Sequence, residues 1–578
     1  PQPGSTFDCE WVPAPLPEAF PEPGAGGAWG DVGAPTWLAP LLARRGGTDA
    51  ASAERFLHPS LDQLHDPLLL AGMREALDRL LLARERGEKV AIVGDYDVDG
   101  VTSTALLLAV FGAWGIAAVP VLPHRLHDGY GFQPVHVERA VAQGCRLIVT
   151  ADCGTSSIEA VAAARAAGLE VVITDHHLPG SELPLGAILV NPRQVGCTYP
   201  FRDLAAVGIA FKLAVGLAQR LGKPLDPLPL LRIACLGTIA DLVPLRGENR
   251  VIAALGLRAL ADTRSRGLRA LIRQAGVKPP FSAADVGFRL GPRINAAGRL
   301  ASADAALELL MSRDEIRAAE LALELDTWNR RRQDEEAQVV LEAQERIENE
   351  LAERGSLPPI LVAWSESWHR GVVGIAAGRI AKRFHRPTIL LAVEGESATG
   401  SGRSIPDLDL HGFLAPFRDR LAKFGGHSQA IGLSAALAEL PNLRGAFEAA
   451  ANVWPRELLT RVRRYEIELT PRAIDEELMT RLERLEPFGQ GNPQPVIKLG
   501  PLTATGVPRL FGKGHLEIAA QGEDGSRVRL VGWGFGERAE EFREPFEVLG
   551  SLERDDYRRD LVVRMIDCRS ASAHRMSA

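Results

Sequence analysis

This 578-residue sequence has few cysteines, no long apolar run and no net positive charge. The six cysteines are far apart and form no C-x-x-C pair, which argues against zinc or redox motifs and favours a reducing cytoplasm. No window reaches the roughly 18 uncharged apolar residues that a membrane helix requires, so we expect no membrane association. The net charge of −7 excludes a uniformly basic surface, so local basic patches or metal ions would have to attract an acidic substrate.

The chain is too long for one hydrophobic core, since domains average about 150 residues. Its first residues are rich in Pro and Gly and contain no basic region followed by an apolar core, so we expect a loose tail and no secretory signal. The predicted organisation is a flexible tail over 1–35, a catalytic domain with a helical preface over 36–310, a connecting helix over 311–355, a second, smaller α/β domain over 356–455 and a β-barrel over 456–578.

Strands and helices alternate in the predicted catalytic domain, which indicates a parallel sheet covered by helices. The predicted strands are 89–94, 117–123, 146–150, 170–174 and 187–191. The intervening helices are 102–114, 134–142 and 156–167. The overall fold class is therefore multidomain α/β with an added C-terminal barrel.

Acids follow the first of these strands at a spacing of two. If the chain stays extended after Gly94, Asp95, Asp97 and Asp99 lie on one side, where like charges need a cation or a proton. The alternative is an ordinary polar turn. Asp152 follows a second strand and Asp175-His176-His177 a third, and the carboxyl ends of parallel strands share one edge of the sheet.

This set of oxygen and imidazole ligands predicts a divalent metal site. Asp241 follows another apolar segment and is expected to join Asp97, Asp99, Asp152 and His176. Carboxylate ligands favour Mn²⁺ or Mg²⁺, and so many acids suggest two ions about 3.5–4 Å apart, which is the arrangement used to attack phosphorus. His177 is the candidate to stabilise the transition state or protonate the leaving oxygen, with Asp175 orienting a ligand.

The later part of the chain is predicted less sharply. We expect a Gly- and Arg-rich loop at 291–299, and a charged helix over 312–354 that either separates two domains or packs along one of them. A second α/β unit begins at 359 and contains glycine-rich segments near 400 and 425. Short alternating segments after 461 indicate a small antiparallel barrel.

These motifs, in this order, resemble the DHH phosphoesterase superfamily, and the residues Gly425-Gly426-His427 resemble the signature of the C-terminal domain that accompanies it. The similarity is closest to the RecJ family of single-strand-specific 5′ to 3′ exonucleases, and it extends from about residue 40 to 570. The segments that carry this closer resemblance are Gly129-Tyr130-Gly131, 291–299, 368–375 and 402–405.

The resemblance implies roles for particular residues. Asp97, Asp99, Asp152, His176 and Asp241 would be the metal ligands, with Asp152 bridging, and His177 would face the scissile phosphate. Asp95 replaces a histidine ligand of other superfamily members, and we include it with the catalytic residues. The predicted DNA contacts are Arg293, Asn295, Arg299, His369, Arg370, Arg403, Ser404, Gly425, Gly426 and His427, although any single arginine among them could instead form a surface ion pair.

The resemblance also implies an OB-fold for the barrel, with Trp533, Phe535, Phe511 and Arg529 as candidates for strand binding, although Trp533 could equally belong to the core. The leading hypothesis is a two-metal exonuclease, a cytoplasmic and monomeric enzyme of DNA repair and recombination, that releases mononucleotides from the 5′ end of single-stranded DNA. Single-strand-binding protein and a helicase are the expected protein partners. The alternatives are a phosphodiesterase for cyclic dinucleotides or short oligonucleotides and a non-catalytic single-strand-binding scaffold. The sequence assigns no role to Asp407 and Asp409.

Overall fold

The structure is a computed structural model that describes residues 9–17, 37–123, 128, 131–300, 302–512, 514–555 and 558–571, with the backbone alone at 299 and 300. The strands are β1 Cys9–Pro13, β2 Val90–Gly94, β3 Ala118–Val121, β4 Leu147–Ala151, β5 Glu170–Thr174, β6 Ile188–Val190, β7 Leu361–Ser365, β8 Thr388–Glu394, β9 Ser397–Arg403, β10 Lys423–His427, β11 Ala430–Ala436, β12 Arg461–Tyr465, β13 Ile467–Leu469, β14 Ile497–Ala504, β15 Arg509–Phe511, β16 His515–Gly522, β17 Arg527–Gly532, β18 Phe546–Arg554 and β19 Leu561–Ser570.

The helices are α1 Leu38–Arg44, α2 Ala50–Leu57, α3 Met73–Arg86, α4 Val98–Ala113, α5 Pro134–Ala142, α6 Ile158–Ala166, α7 Ala206–Leu221, α8 Leu228–Ala240, α9 Gly247–Leu260, α10 Arg266–Ala275, α11 Ala283–Asp285, α12 Gly291–Leu300, α13 Asp304–Met311, α14 Glu315–Arg354, α15 Val373–Phe384, α16 Leu410–Leu414, α17 Leu440–Ala451 and α18 Glu476–Glu483. A π-helical turn, Val286–Leu290, precedes α12. None of the helices in the described ranges combines the length and the apolar character needed to cross a bilayer.

The chain divides into two compact units. The first comprises residues 1–15, 331–483 and 495–578, and the second comprises 16–330 and 484–494. The division places 484–494 with the predicted catalytic domain, whereas the sequence placed it with the barrel. The cause is a set of polar contacts, since the buried guanidinium of Arg250 donates hydrogen bonds to the carbonyl groups of Arg484, Leu485 and Glu486.

The second unit contains the predicted parallel sheet, in the order β3-β2-β4-β5-β6. Alternate residues of its strands face two hydrophobic clusters, because side chains alternate along a strand. Val90 and Ile92 pack with residues of α3, α4 and α7, whereas Ala91 and Val93 pack with residues of α5 and α6. Gly94 pairs with Ala151, and Ala151 with Thr174, so β2, β4 and β5 end at the same level.

The predicted loop at 291–299 is wrong, because these residues belong to α12. Pro292 lies directly after the π-helical turn Val286–Leu290 and Gly291, within a continuous helical stretch. Ile294, Ala296 and Ala297 are buried, and a Cβ at Gly298 would lie 2.5 Å from the carbonyl oxygen of Tyr96. The two glycines and two arginines of this segment suggested a loop, but its small and apolar residues form a face that packs in the protein interior.

The first unit contains the predicted second α/β domain and the barrel. Its α/β sheet has the order β10-β11-β9-β8-β7, with β7 and β8 parallel and the other pairs antiparallel. The glycine-rich segment Gly400–Ser404 lies largely within β9. The barrel closes through β14-β18-β19-β17-β16 and a further β14–β16 pairing, and it is mainly antiparallel, with β17 and β19 parallel.

The flexible tail predicted for 1–35 is wrong at residues 9–13. These residues form β1, which pairs in parallel with β12. Trp11 donates a hydrogen bond from Nε1 to Asp567, and the guanidinium of Arg569 lies 4.3 Å from the centre of its ring. The partners are more than 400 residues away in sequence, so a local pattern could not predict this strand.

Candidate active site

Three adjacent strands deliver acids to one edge of the parallel sheet. Asp95 follows β2, Asp152 follows β4 and Asp175 follows β5. The strand order reverses between β2 and β4, since β3 lies on one side of this pair and β5 and β6 on the other. Ligands of open α/β sheets bind at such a switch point.

The extended run expected after Gly94 is wrong, because α4 begins at Val98. Asp97 is its N-cap, and its Oδ1 accepts a hydrogen bond from the Gly100 amide at 3.1 Å. Asp99 lies in the first helical turn, where its two oxygens accept hydrogen bonds from the Ala206 and Val207 amides that begin α7. Helix amides therefore hold this carboxylate while it is nearly fully buried.

Asp241 is delivered differently from the other acids. It is the C-cap of α8, so a helix end and not a strand end brings it to the cluster. α8 approaches α4 closely, since a Cβ at Gly237 would lie 2.4 Å from Thr102 Oγ1 and 2.7 Å from Asp99 Oδ1. Glycine at this position allows the two helices, and with them Asp99 and Asp241, to approach each other.

The predicted ligands form three overlapping groups. Each group has one possible ligand atom per residue within 4.8 Å of the others: Asp95, Asp97 and Asp152; Asp152, His176 and His177; Asp99, His176 and Asp241. His176 Nε2 lies 3.2 Å from Asp152 Oδ1, 3.6 Å from Asp241 Oδ2 and 3.9 Å from Asp99 Oδ2. Asp152 and His176 link the groups into one continuous cluster.

Burial and mutual repulsion raise the pKa values of the acids in this cluster, so a cation would stabilise their ionised forms. Burial and the nearby Asp97 raise the pKa of Asp99 to about 7. Burial and the charge of Asp99 raise the pKa of Asp241 to about 9 and that of Asp152 well above its usual range. Burial lowers the pKa of His176 to about 3, which keeps the ring neutral, as metal ligation requires.

Two buried atoms at the centre of the cluster support metal binding. Among the described residues, neither Asp152 Oδ1 nor His176 Nε2 has a hydrogen-bond partner. Buried polar atoms are normally paired, and an isolated pair of acceptors at this spacing fits a shared cation. The donor set of carboxylates and imidazole fits Mn²⁺ or Mg²⁺.

The backbone at Asp152 is held in an unusual conformation. Its φ of 68° lies in the left-handed region, which non-glycine residues rarely adopt. Gly154, with a φ of 114°, allows the following turn to fold back against Thr150 and Ile173. Backbone strain of this kind is often found at functional sites.

His177 is positioned by Asp175. Its Nδ1 lies 2.7 Å from Asp175 Oδ1, and Asp175 also accepts hydrogen bonds from the amides of Thr155 and His176. Burial opposes both charges, but this hydrogen bond raises the pKa of His177 to about 9 and lowers that of Asp175 below its usual range. Sequence reasoning missed Asn191, whose Nδ2 donates to Thr155 Oγ1 and to the His177 carbonyl oxygen.

The residues of the second unit that were predicted to contact DNA mainly contact other residues of the protein in this structure. Arg293 pairs with Asp326 at 2.8 Å, and Asn295 Oδ1 accepts a hydrogen bond from the Val98 amide at the start of α4. The Arg299 side chain lies outside the described residues, as do Gly129 and Tyr130. Asn295 thus holds the helix that carries Asp99.

In the first unit, the predicted DNA contacts lie on two elements of the mixed sheet and on the turn after β7. Gly425, Gly426 and His427 are exposed on β10, an edge strand. Arg403 ends β9, where Nη1 donates to Ser401 Oγ at 2.7 Å.

Three further residues of this unit that were predicted to contact DNA form hydrogen bonds or ion pairs within the protein. His369 and Arg370 are partly exposed, and His369 Nδ1 accepts a hydrogen bond from the Gly371 amide. Ser404 Oγ donates to the Leu408 carbonyl oxygen.

The unassigned acids Asp407 and Asp409 belong to a local turn. Asp409 caps α16 by accepting a hydrogen bond from the Gly412 amide. Asp407 has a φ of 64°. Both therefore shape the chain between β9 and α16.

The barrel presents an aromatic cluster that sequence reasoning identified only in part. Phe511, His515 and Trp533 have ring centres 4.6–5.8 Å apart, and Trp533 is 54% exposed. His515 was missed because a lone histidine carries no signal in sequence. Phe535 is buried, and Arg529 is paired with Asp555 and Asp560, so neither offers a free binding group.

Comparison with known proteins identifies the same three modules. The DHH family N-terminal domain matches residues 89–238, the DHHA1 domain 357–452 and the RecJ OB domain 465–566.

Full-length relatives extend this likeness across most of the chain. The single-stranded-DNA-specific exonuclease RecJ of Bacillus subtilis is 39% identical over 508 residues, which cover 87% of this chain and 63% of that protein. RecJ of Dickeya dadantii is 38% identical over 507 residues, which cover 84% of this chain and 87% of that protein. The crystal structure of RecJ from Thermus thermophilus with Mn²⁺ has a TM-score of 0.82 at 30% identity and covers 97% of this chain and 80% of that one, and the same protein was also solved with Mg²⁺.

The parallel sheet, its strand-end acids and the paired histidines define a metal-dependent phosphoesterase of the DHH class. The additional DHHA1 domain and RecJ OB domain identify one family within this class of phosphoesterases. The chain belongs to the RecJ family of single-stranded-DNA-specific exonucleases.

Proposed function

We propose that this protein hydrolyses single-stranded DNA from the 5′ end and releases 5′ mononucleotides, with two divalent ions, Mn²⁺ or Mg²⁺, at the cluster around Asp152. The observation that carries the proposal is that Asp152 belongs to two of the three ligand groups while its Oδ1 has no hydrogen-bond partner among the described residues. One carboxylate shared by two groups is what a pair of ions requires.

The ligand groups divide naturally between two ions. Asp95, Asp97 and Asp152 would hold one ion, and Asp99, His176 and Asp241 the other. Asp152 also groups with His176, whose Nε2 lies 3.2 Å from Asp152 Oδ1, so we assign Asp152 to both ions. When bound, such ions lower the pKa of a coordinated water and neutralise charge on phosphate oxygens.

The protein's own groups would then position and protonate the substrate. In the metal-free protein the hydrogen bond to Asp175 outweighs burial and raises the pKa of His177 to about 9, and we assign to this ring the donation of a proton to the phosphate or to the leaving oxygen. Asp175 fixes the Nδ1 edge of the ring, so Nε2 is the nitrogen assigned to this donation. Asp95 accepts a hydrogen bond from the Tyr96 amide at 2.7 Å and would be a further ligand in the group with Asp97 and Asp152.

The first unit would bind the DNA strand. A Cβ at Gly374 would lie 3.1 Å from Arg403 Nη2, so this guanidinium lies against the first turn of α15, where backbone amides and the helix dipole favour an anion. Gly425, Gly426 and His427 on the exposed β10 would make further phosphate contacts, together with His369, Arg370 and Ser404. The exposed ring cluster of Phe511, His515 and Trp533 supports base stacking on the barrel.

The setting of this activity is also a proposal. We infer a cytoplasmic monomer that acts in DNA repair and recombination with a helicase and single-strand-binding protein. Six free cysteines, five of them buried, are consistent with a reducing compartment.

The decisive experiment uses oligonucleotides labelled at either end. With Mn²⁺, a 5′-phosphorylated strand should lose its 5′ label first, as a mononucleotide. Asp152→Asn should abolish this release while leaving strand binding largely intact, because it removes the shared ligand but none of the predicted phosphate contacts. Asp262→Asn, an exposed site in the same unit, should behave as wild type. Release from the 3′ end, or normal turnover by Asp152→Asn, would contradict the proposal.

A further inference from the structure

A cavity of about 570 Å³ in the first unit has no role in the proposed hydrolysis. It lies where α14 and α17 end and where the chain enters β8 and β12, and its size is within the roughly 300–1,000 Å³ of small-molecule sites. None of the residues that line it carries a carboxylate, whereas two of them are arginines, Arg386 and Arg456. The charge of its lining is therefore positive.

Arg386 is held in place without an acidic partner. Its Nη1 donates hydrogen bonds of 2.8 Å to the carbonyl oxygens of His385 and Leu459. Its Nε is buried and has no hydrogen-bond partner among the described residues, and no carboxylate in that part of the chain forms an ion pair with it. A cation that is oriented by carbonyl groups but not neutralised is suited to bind an anion.

A neighbouring cavity in the same unit is lined by an arginine that acidic partners neutralise. It lies between α14, β7 and α17, and Arg444 on its wall donates a hydrogen bond of 2.8 Å to Glu448 and pairs with Glu350. The two cavities have similar volumes, about 560 and 570 Å³. Glu350 and Glu353 line the second cavity, whereas no carboxylate lines the first.

One aromatic side chain of the first cavity suggests the rest of the ligand. Trp454 lies on its wall, held by Phe413 at 4.6 Å between ring centres, and offers a flat surface for an aromatic ring. Residues from the last turns of α14 and α17 also line the cavity. The carbonyl oxygens of these residues are already paired, since Leu351 accepts a hydrogen bond from the Gly355 amide at 2.9 Å and Ala451 accepts one from the Trp454 amide at 3.1 Å.

We infer that this cavity binds a nucleotide whose phosphate contacts Arg386 and whose base stacks on Trp454. Asn452, Thr460 and Ser356 supply further polar groups on the wall. The nucleotide could be free or part of a DNA strand, and the chemistry of recognition is the same for both.

The test is calorimetric titration of the full chain in excess chelator, so that hydrolysis does not occur and the metal cluster does not contribute. We expect dAMP to bind at one site and inorganic phosphate to compete with it. Arg386→Lys keeps the charge but loses the planar set of donors, and it should weaken dAMP binding about tenfold. Trp454→Leu should weaken it comparably, whereas Arg444→Gln in the neighbouring cavity should leave it unchanged.

A parallel titration with a short oligonucleotide identifies the source of the nucleotide. A loss with Arg386→Lys for dAMP assigns the cavity to free nucleotides, and a loss for the oligonucleotide alone assigns it to a strand. Unchanged binding of both by correctly folded Arg386→Lys and Trp454→Leu would overturn the inference. Because no hydrolysis is measured, this result is independent of the proposed exonuclease activity.

Discussion

At the scale of single residues, the acids around Asp152 are held in place by the fold at an electrostatic cost. Asp99 accepts two helix amides, Asp97 caps α4 and Asp152 has a left-handed backbone. These constraints bring carboxylates together whether or not a cation is present. The metal-free protein must therefore carry protons or repulsion at this cluster.

This cost predicts a pH dependence of the metal-free protein. Between pH 7 and 9, Asp99, Asp241 and His177 all lose protons that they hold in the folded state, because their pKa values are raised to about 7, 9 and 9. A raised pKa in the folded state means that stability is lost as the pH rises through that value. In excess chelator, the stability should fall by on the order of 2 kcal/mol from pH 7 to 9, measured by thermal unfolding.

Two controls isolate the cluster as the cause. Added Mn²⁺ should remove most of this pH dependence, because the ions stabilise the ionised carboxylates. Asp241→Asn should reduce it in chelator, since one of the titrating groups is absent and repulsion on Asp99 is relieved. Stability that is constant or rises over this pH range in chelator would contradict the assignment.

Arg403 provides a residue-scale test of DNA binding. Arg403→Ala should weaken binding to a single strand and reduce the slope of log K against log[salt] by about 0.7, as expected for the loss of one phosphate contact. Arg420→Ala, which removes an exposed arginine paired with Glu439 in the same unit, is the matched control and should leave the slope unchanged. Equal slopes for both variants would make Arg403 a structural residue, bound to Ser401 and Gly402.

At the scale of elements, helix α4 organises the cluster, and its start depends on glycine. A Cβ at Gly100 would lie 2.5 Å from both the amide nitrogen and the carbonyl oxygen of Asp95. Because both are backbone atoms, they cannot move aside as a flexible side chain could. The turn from β2 into α4 therefore requires the absence of a side chain at this position.

Gly100→Ala should accordingly displace Asp95 and Asp97 and weaken Mn²⁺ binding, with a loss of about 1–3 kcal/mol in stability. Gly112→Ala lies on the exposed side of the same helix, with no atom within 4 Å of the added Cβ, and should stabilise the protein by about 0.5–1 kcal/mol. Thermal unfolding and Mn²⁺ titration of both variants measure these effects. Normal metal affinity in Gly100→Ala would show that the turn tolerates the methyl group.

At the scale of the whole molecule, residues far apart in sequence complete the second unit. Segment 484–494 contacts the chain that follows Asp241, because the Leu245 amide donates a hydrogen bond to Gln490 and Arg246 donates one to Gly491. Arg45 donates to Asn492 Oδ1 at 2.8 Å. Arg250 is buried beneath this segment, with its guanidinium 3.7 Å from the centre of the Phe56 ring.

Arg250→Leu should release segment 484–494, because it leaves the buried carbonyl groups of Arg484, Leu485 and Glu486 without donors, at a cost of about 3 kcal/mol. Hydrogen exchange should show faster exchange of amides in 484–494 and at Leu245. The control is Arg74→Leu, at an exposed site of the same unit, which should change stability by no more than about 0.5 kcal/mol. Unchanged protection in Arg250→Leu would show that other contacts are sufficient to hold the segment.

Much of the fold could be predicted from the sequence because its signals are local. Apolar strands alternating with helices specify a parallel sheet with covered faces, and acids placed directly after β2, β4 and β5 must then meet at one edge. Asp95, Asp152 and the Asp175-His176-His177 motif could be located in this way. The barrel could be predicted from short alternating segments after residue 461.

The amino-acid sequence by itself thus determined the sheet, the order of domains and the identity of the acids at its edge, since periodicity and strand ends depend on neighbouring residues. Only the tertiary structure decided how Asp241 reaches the cluster from a helix end, where α4 begins, and which distant segments, 9–13 and 484–494, complete each unit. These features depend on hydrogen bonds and packing between residues hundreds of positions apart. Such contacts form between segments that are close together only in the folded protein, so no periodic pattern in the sequence indicates them.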